Sequence, residues 1–328
     1  MAVARTWRQP PPPDGPYRIR DADIPVLNAV FSDAFTDRYR KDGMAGVRVP
    51  YLNPAVWRFA IADAGEGAML WRDDRGNIAA FNVTHLSGAE GWMGPLAVHP
   101  DFQAHGLGKT IVNTGMEWLK RQNARVIGLE TMPRTMDNIG FYSSLGMLPG
   151  YLTLTVTVDA AYSAPQPHDR VVRMGSMPPA DIDGCVTRCR ELSNSLLAGY
   201  DFSREIQLTE ELALGDTIML VRGGDVAAFA VAHSVPLVEG RMREELRVLK
   251  LVARTGDDFA SLISALADHA RRSGTRRVAV RVQGQYPDAY RRLIARSARV
   301  RWTDLRMSAH GYNEEAAERG IVLSNWEI

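Results

Sequence analysis

The chain has 328 residues, 45% hydrophobic and 23% charged, which fits about two ordinary soluble domains with cores of their own. Its 39 Lys and Arg against 38 Asp and Glu leave a net charge of +1, which excludes nucleic-acid or membrane-surface binding by bulk charge. No apolar run approaches the roughly 18 residues of a membrane span.

Residues 1–16 are rich in proline, lack the apolar stretch of a signal peptide, and read as a disordered arm. The fold is expected to begin with a strand over 17–20. An amphipathic helix should follow from Ile24 to about Tyr39, with Ile24, Leu27, Val30, Phe31 and Phe35 on one face. Residues 53–62 read as a second helix with Pro54 in its first turn. A hairpin is predicted from Met69 through a Gly-containing turn into residues 76–85, GNIAAFNVTH. Then come a strand over 91–98, a glycine-bearing loop, a helix over 108–122, a strand over 125–130, a helix carrying Tyr142 and a strand over 151–158. Residues 163–169, SAPQPHD, have the composition of an exposed linker.

The second half repeats the first. Residues 224–233, GDVAAFAVAH, share six identities with the ten residues from Gly76, and Met69-Leu70-Trp71-Arg72 matches Met219-Leu220-Val221-Arg222. Strands over 170–173, 246–253, 277–282 and 300–308, with helices over 182–197, 259–273 and around Tyr290, complete the parallel. The chain therefore reads as two copies of one α/β unit, 17–162 and 170–328. Its closing residues 320–328 read as a strand docked across the seam between them. Cys185 and Cys189 lie four apart on one helix face, poorly placed for a disulfide and too few for a metal site. A reduced, cytoplasmic chain without metal is expected.

The most informative segment follows Val98. Pro100 blocks continuation of the strand, and Gly106 and Gly108 let backbone N–H groups turn toward a ligand at the start of a helix. Those are the parts of a diphosphate cradle. Gly108-Lys109-Thr110 imitates the end of a nucleotide P-loop, but Gln103 stands where that motif needs its first glycine. Ile111 likewise stands where a dinucleotide fingerprint needs its third.

Gln103-Ala104-His105-Gly106-Leu107-Gly108 fits Q/R-x-x-G-x-G/A. With G-P-L-A-V-H-P before it and F-Y-S-S-L-G-M (141–147) after it, the stretch 17–158 resembles the GCN5-related N-acetyltransferase (GNAT) family. The internal repeat carries the fold, though not the motif, to about residue 309. The resemblance implies two tandem α/β folds, each a mixed, mostly antiparallel sheet flanked by helices. It implies an acetyl-CoA-dependent N-acetyltransferase that transfers directly to an amine acceptor in a ternary complex. A small-molecule acceptor is preferred, and no nucleic acid, membrane or metal is involved. Main-chain groups of Leu96, Ala97 and Val98 would meet the pantetheine arm, and Gln103, Ala104, His105, Gly106, Leu107, Gly108, Lys109 and Thr110 the diphosphate.

The resemblance further implies Tyr142 as a cofactor-binding residue and as the acid that protonates the departing thiolate. It implies Glu130, at a strand end, as the base, a role that a similar Leu-Glu segment is proposed to play in one family member. His99 is the rival base, and deprotonation relayed by water with no single essential base is the third reading. The family often has Asn where Thr135 stands here, and Asn138, one turn before Tyr142, is expected to serve at the cofactor instead. Trp57, Trp71 and Trp92 are expected in the core, with an acceptor pocket as the other reading. After Val252 the second half runs A-R-T-G-D-D-F, with Asp257 and Asp258 where phosphates should sit. It is expected to keep the fold, lose the cofactor and leave Tyr290 structural. A catalytically silent acyl-CoA-binding sensor is the alternative function, and the sequence suits a monomer or a homodimer.

Overall fold

A computed structural model describes residues 11–161 and 169–327. Most of the linker segment 163–169, and residues 1–10 of the N-terminal arm, lie outside the described residues. The first half contains β1 (Asp14–Arg18), α1 (Ile24–Lys41), α2 (Pro54–Ala64), β2 (Ala68–Arg72), β3 (Ile78–Ser87), β4 (Glu90–Val98), α3 (Leu107–Arg121), β5 (Val126–Thr131), α4 (Met136–Ser144) and β6 (Met147–Asp159). The second contains β7 (Arg170–Arg173), α5 (Pro179–Leu196), α6 (Ser203–Glu211), β8 (Gly215–Arg222), β9 (Asp225–His233), β10 (Glu245–Ala253), α7 (Gly256–Arg272), β11 (Arg277–Gln283), α8 (Pro287–Ile294), β12 (Arg299–Ala309) and β13 (Ile321–Ser324).

The elements sit within a few residues of the predicted ones, with three corrections. The arm assigned to 1–16 is too long at its inner end, because Asp14 already pairs with Arg72 in β1–β2 and the fold starts there. Helix α6 had no counterpart in the sequence reading; it occupies the place that α2 holds in the first half. The third correction concerns how the halves join. Neither closes on its own last strand: β12 of the second half inserts beside β5, while β6 of the first lies beside β11. β6 and β12 pair with each other from Arg299↔Thr157 to Ala309↔Met147. The result is one continuous sheet, β1-β2-β3-β4-β5-β12-β6-β11-β10-β9-β8-β7, parallel only at β4–β5 and β10–β11.

Local physics explains the elements that frame the site. The Asn53 side chain caps α2 by accepting the Ala55 N–H at 2.9 Å. On α1, buried Asn28 donates to the Leu52 carbonyl and accepts from Leu52 N–H and the Trp57 indole, all at 2.8–2.9 Å. That satisfied amide pins the segment before α2 against α1. Trp57, Trp71 and Trp92 are buried in the core, as their strand and helix positions suggest.

The tail crosses the seam, as the sequence reading expected. β13 pairs antiparallel with β10 from Lys250↔Ser324 to Ala253↔Ile321. Beyond it the Trp326 indole donates to Glu90 Oε1 at 2.8 Å and Ser324 Oγ to Glu90 Oε2 at 2.6 Å. Room for the indole depends on Gly128, where a Cβ would stand 2.4 Å from the ring. Buried Lys250 donates to Ser324 Oγ at 2.7 Å, with Glu205 at 3.6 Å and Glu90 at 3.8 Å, so its charge is compensated inside the seam.

Candidate active site

Strand β4 runs parallel to β5 only over Glu90–Met93, then diverges. From Gly94 onward it keeps β3 alone, through Asn82↔Leu96, Phe81↔Ala97 and Ala80↔Val98. The edge of Leu96, Ala97 and Val98 that faces β5 is left without a strand partner among the described residues. The point of divergence is held by His85, the histidine of the repeated motif. It stacks on Trp92 at 3.9 Å, contacts Asp63 through Nδ1 at 2.5 Å, and places Nε2 3.1 Å from the Gly94 carbonyl oxygen. The sequence displayed this residue twice, at 85 and 233, without revealing that role.

Eight residues, 99–106, lead from β4 to α3. A 3-10 turn at Pro100–Phe102 takes the chain away from the strand, and His99 accepts the Asp101 N–H there at 3.3 Å. His99 is therefore a loop hydrogen-bonder, and it is not among the residues that line the cavity described below. Gln103 returns the loop to the strand, donating from Nε2 to the Val98 carbonyl at 3.1 Å while accepting from Lys41 at 2.8 Å. Gly106 caps α3 at φ +83°, a conformation that favours glycine. Leu107 is buried in the core and anchors the helix start, so only its main chain is available to a ligand. His105, Gly106, Lys109 and Thr110 lie exposed around the first turn. α3 thus presents its unpaired N–H groups and positive dipole end to solvent beside the open strand edge.

Strand edge and loop form one wall of a cavity of about 840 Å³. Of the sequence-predicted residues, Leu96, Ala97, Val98, Gln103, Ala104, Gly108, Glu130, Asn138 and Tyr142 line it, whereas His105, Gly106, Leu107, Lys109 and Thr110 do not. Tyr142 is 7% exposed overall, and burial pushes its phenol up to about 12, fully protonated at neutral pH. Asn138 stands one helical turn before it, with Nδ2 3.4 Å from Thr131 Oγ1. Thr135 plays no part at the wall; its hydroxyl donates to Asp42 at 2.7 Å and ties α4 to α1.

Glu130 reaches the cavity but is poorly suited to the role of base. Arg281 contacts its carboxylate at 2.5 Å, Arg306 at 3.0 Å, and Thr153 donates to it at 2.5 Å. Burial alone would raise its affinity for a proton, yet the two guanidinium groups prevail and hold the carboxyl below its usual range. Both arginines come from the second half, on β11 and β12, where sequence distance hid them.

The far wall also belongs to the second half. Leu237 and Val238 from the β9–β10 connection, Trp302 and Asp304 on β12, and Trp326 and Glu327 after β13 all line the cavity. Leu237 and Val238 are fixed there by an antiparallel bridge, Leu52↔Val238, and by Asn53 N–H to the Leu237 carbonyl at 2.8 Å.

In the second half the corresponding place is closed. Two residues, 254–255, separate β10 from α7 where the first half has eight. Thr255 caps the helix, accepting Asp258 N–H at 3.1 Å; Asp258 pairs with Arg222 at 2.8 Å and Asp257 with Arg292 at 3.0 Å. β10 leaves β11 after Arg247, and the edge of Lys250–Ala253 so released is taken by β13. Through β3 and β9 these residues match Leu96–Val98, so the chain's own tail occupies the slot that stays open in the first half. Tyr290 is only partly buried and packs against the second-half core.

Residues 29–147 match the family model described as Acetyltransferase (GNAT) family. The match spans about a third of the chain, from α1 to the start of β6, and this segment resembles the GNAT acetyltransferases. Solved structures share the GNAT fold across both halves. A candidate acetyltransferase of Pyrococcus horikoshii is 13% identical, with 94% of each chain covered and a TM-score of 0.65. A tandem GNAT protein from the clavulanic acid biosynthesis pathway is 11% identical, with 93% of this chain and 99% of that one covered and a TM-score of 0.60. A GCN5-related N-acetyltransferase of Sphaerobacter thermophilus is 15% identical, with 95% and 97% covered and a TM-score of 0.55. No curated protein matches the sequence. The fold class is thus the predicted one, a tandem GNAT arrangement on a mostly antiparallel sheet. Among the described residues no helix is long and apolar enough to cross a membrane.

Proposed function

We propose that the protein is an acetyl-CoA-dependent N-acetyltransferase with a single active site in its first half, acting on an amine by direct transfer. The observation that carries this reading is the pairing of an open β4 edge at Leu96–Val98 with an eight-residue loop that ends at the N-terminus of α3. The residues fit the co-substrate. A pantetheine amide can add to the strand edge as a further strand would. The N–H groups around Gly106 and Gly108, with the α3 dipole, suit a diphosphate, and Lys109 is exposed beside them. Bound acetyl-CoA supplies an activated acetyl thioester.

The chain's own groups then perform the catalysis. Tyr142, protonated and desolvated, donates to the departing sulfur, whose thiol has an ordinary pKa near ~8.5. Main-chain N–H groups on the splayed strand stabilise charge on the carbonyl oxygen. The short β10–α7 connection, the Asp257 and Asp258 carboxylates and the inserted β13 support a second half that takes no cofactor. The retained phenol in the cavity favours turnover over a silent sensor.

A Gly106→Glu/Gly108→Glu double substitution tests the assignment. It places two carboxylates in the cradle, and at an effective dielectric near 20 each unit charge 4 Å from a phosphate costs about 4 kcal/mol. Calorimetry is expected to show acetyl-CoA binding by the wild type and at least ~100-fold weaker binding by the variant, with an unchanged circular-dichroism spectrum. Equal binding by both would remove the diphosphate from this loop.

A further inference from the structure

Resting on the acetyl-transfer reading, we propose that Glu327, on the tail of the second half, is the proton acceptor of the first-half site, and that the acceptor is an amine entering as an ammonium ion. The geometry starts at Gly94, where β4 leaves β5. The main chain of the tail passes over that point, the Trp326 carbonyl oxygen lying 3.4 Å from where a Gly94 Cβ would be. Trp326 itself is wedged inward, with the Arg306 guanidinium 3.9 Å from its ring centre. The next residue, Glu327, lines the same cavity as Tyr142 and Leu96–Val98. Asn325 braces it by accepting the Glu327 N–H at 3.0 Å. The Glu327 side chain remains 49% exposed and is one of those that line the cavity.

The other carboxylates that line the cavity have partners of their own: Asp37 pairs with Arg40 and Lys41 at 2.6 Å, and Asp137 with Arg38 at 3.2 Å. Glu130 is held by two arginines, and Asp304 accepts from Arg281 at 3.0 Å and from the Trp302 indole at 3.1 Å. Glu327 has Arg281 at 2.7 Å on one oxygen. The titratable groups around it are Arg281 on β11, Arg247 on β10, Asp304 on β12, Glu130 on β5 and the phenol of Tyr39 on α1. Burial, reinforced by Asp304 and Glu130 and opposed by Arg281 and Arg247, pushes Glu327 up to about 7. A carboxylate tuned to that range accepts a proton from an ammonium far more readily than one at an ordinary carboxylate pKa. Trp302, 39% exposed on the cavity wall, suits the apolar stem of such an amine and its positive head.

In the reaction an ammonium becoming an amide sheds two protons. Glu327 accepts one and passes it to solvent, and the other replaces the proton that Tyr142 gives to the departing sulfur. The C–N bond forms as the C–S bond breaks, and no redox partner is required. Because the base comes from the second half, neither half alone holds the complete site.

The test uses the full chain with 1,6-diaminohexane as cationic probe and 6-aminohexanoate as its zwitterionic counterpart. Calorimetric titration without acetyl-CoA is expected to give saturable diamine binding at pH 8, at least tenfold weaker in Glu327→Gln and unchanged in Glu318→Gln, which removes an exposed carboxylate outside the cavity. With acetyl-CoA, wild-type kcat/KM for the diamine is expected to rise with pH through about 7 as Glu327 loses its proton. Glu327→Gln is expected to lose that limb and at least tenfold in kcat/KM. Diamine binding that is absent, that is equalled by 6-aminohexanoate, or that survives unchanged in Glu327→Gln would overturn the proposal, as would an unaltered pH profile. Acetyl-CoA binding is measured separately, so loss of the acetyl-transfer reading would register there and not in the amine titration.

Discussion

Tyr142→Phe is expected to lower kcat for acetyl transfer by about 10²-fold or more, the lower end of what a positioned general acid contributes. The change removes one oxygen from a residue that is 7% exposed and packed between α4 and the cavity, so the fold and the cavity shape should persist. The phenol is held fully protonated at neutral pH by burial, which makes it a donor and not a base. Acetyl-CoA affinity should stay within about twofold, because the diphosphate and pantetheine contacts lie elsewhere. A loss in kcat with preserved binding identifies a group that acts in the transition state. Single-turnover release of CoA thiol, alongside calorimetric binding, checks both parts. An unchanged rate would move the acid to another donor or to water.

Trp326→Ala is expected to destabilise the protein by about 3–5 kcal/mol, the usual cost of truncating a large buried aromatic. Trp326 is 2% exposed, fills the space over Gly128, stacks on Arg306 and donates to buried Glu90. Its removal leaves a cavity and a carboxylate short of one donor, beside Lys250 and Ser324. For a chain of this size the thermal midpoint should fall by about 4–7 °C. A scan by near-ultraviolet circular dichroism reads it. A fall of less than about 2 °C would show that the tail is not part of the structural seam.

Much of the fold was legible because the chain states it twice. The repeated G-x-[IV]-A-A-F-x-V-x-H run and the paired hairpins located the halves, and alternation and helical spacing located most elements. Strand exchange was not legible. β6 and β12 carry the same local apolar pattern whether each lies beside its own fifth strand or the other's, and only long-range pairing distinguishes the two. Helix α6, SREIQLTEE, was missed because its polar residues weaken the apolar stripe; symmetry with α2 was the available signal.

The site divides the same way. The glycine-bearing loop, the strand edge and Tyr142 are close in sequence, and motif chemistry singles them out as the proposed cofactor site. The residues that complete the cavity, Trp302, Asp304, Trp326 and Glu327, come from far along the chain and show no motif. Glu130 illustrates the limit. A carboxylate at a strand end reads as a base until Arg281 and Arg306, both more than a hundred residues away in sequence, are seen on it. Likewise, the tail strand could be foreseen as docking across the seam, but its occupation of the second cleft follows only from the register of β13 on β10.

The stoichiometry of acetyl-CoA binding to the wild-type chain tests the central claim most directly. Isothermal titration is expected to give one site per chain, since β13 fills the second slot and the loop there is reduced to two residues. Two sites per chain would contradict the closed second half, and no binding by the folded protein would contradict the acetyl-transfer site altogether.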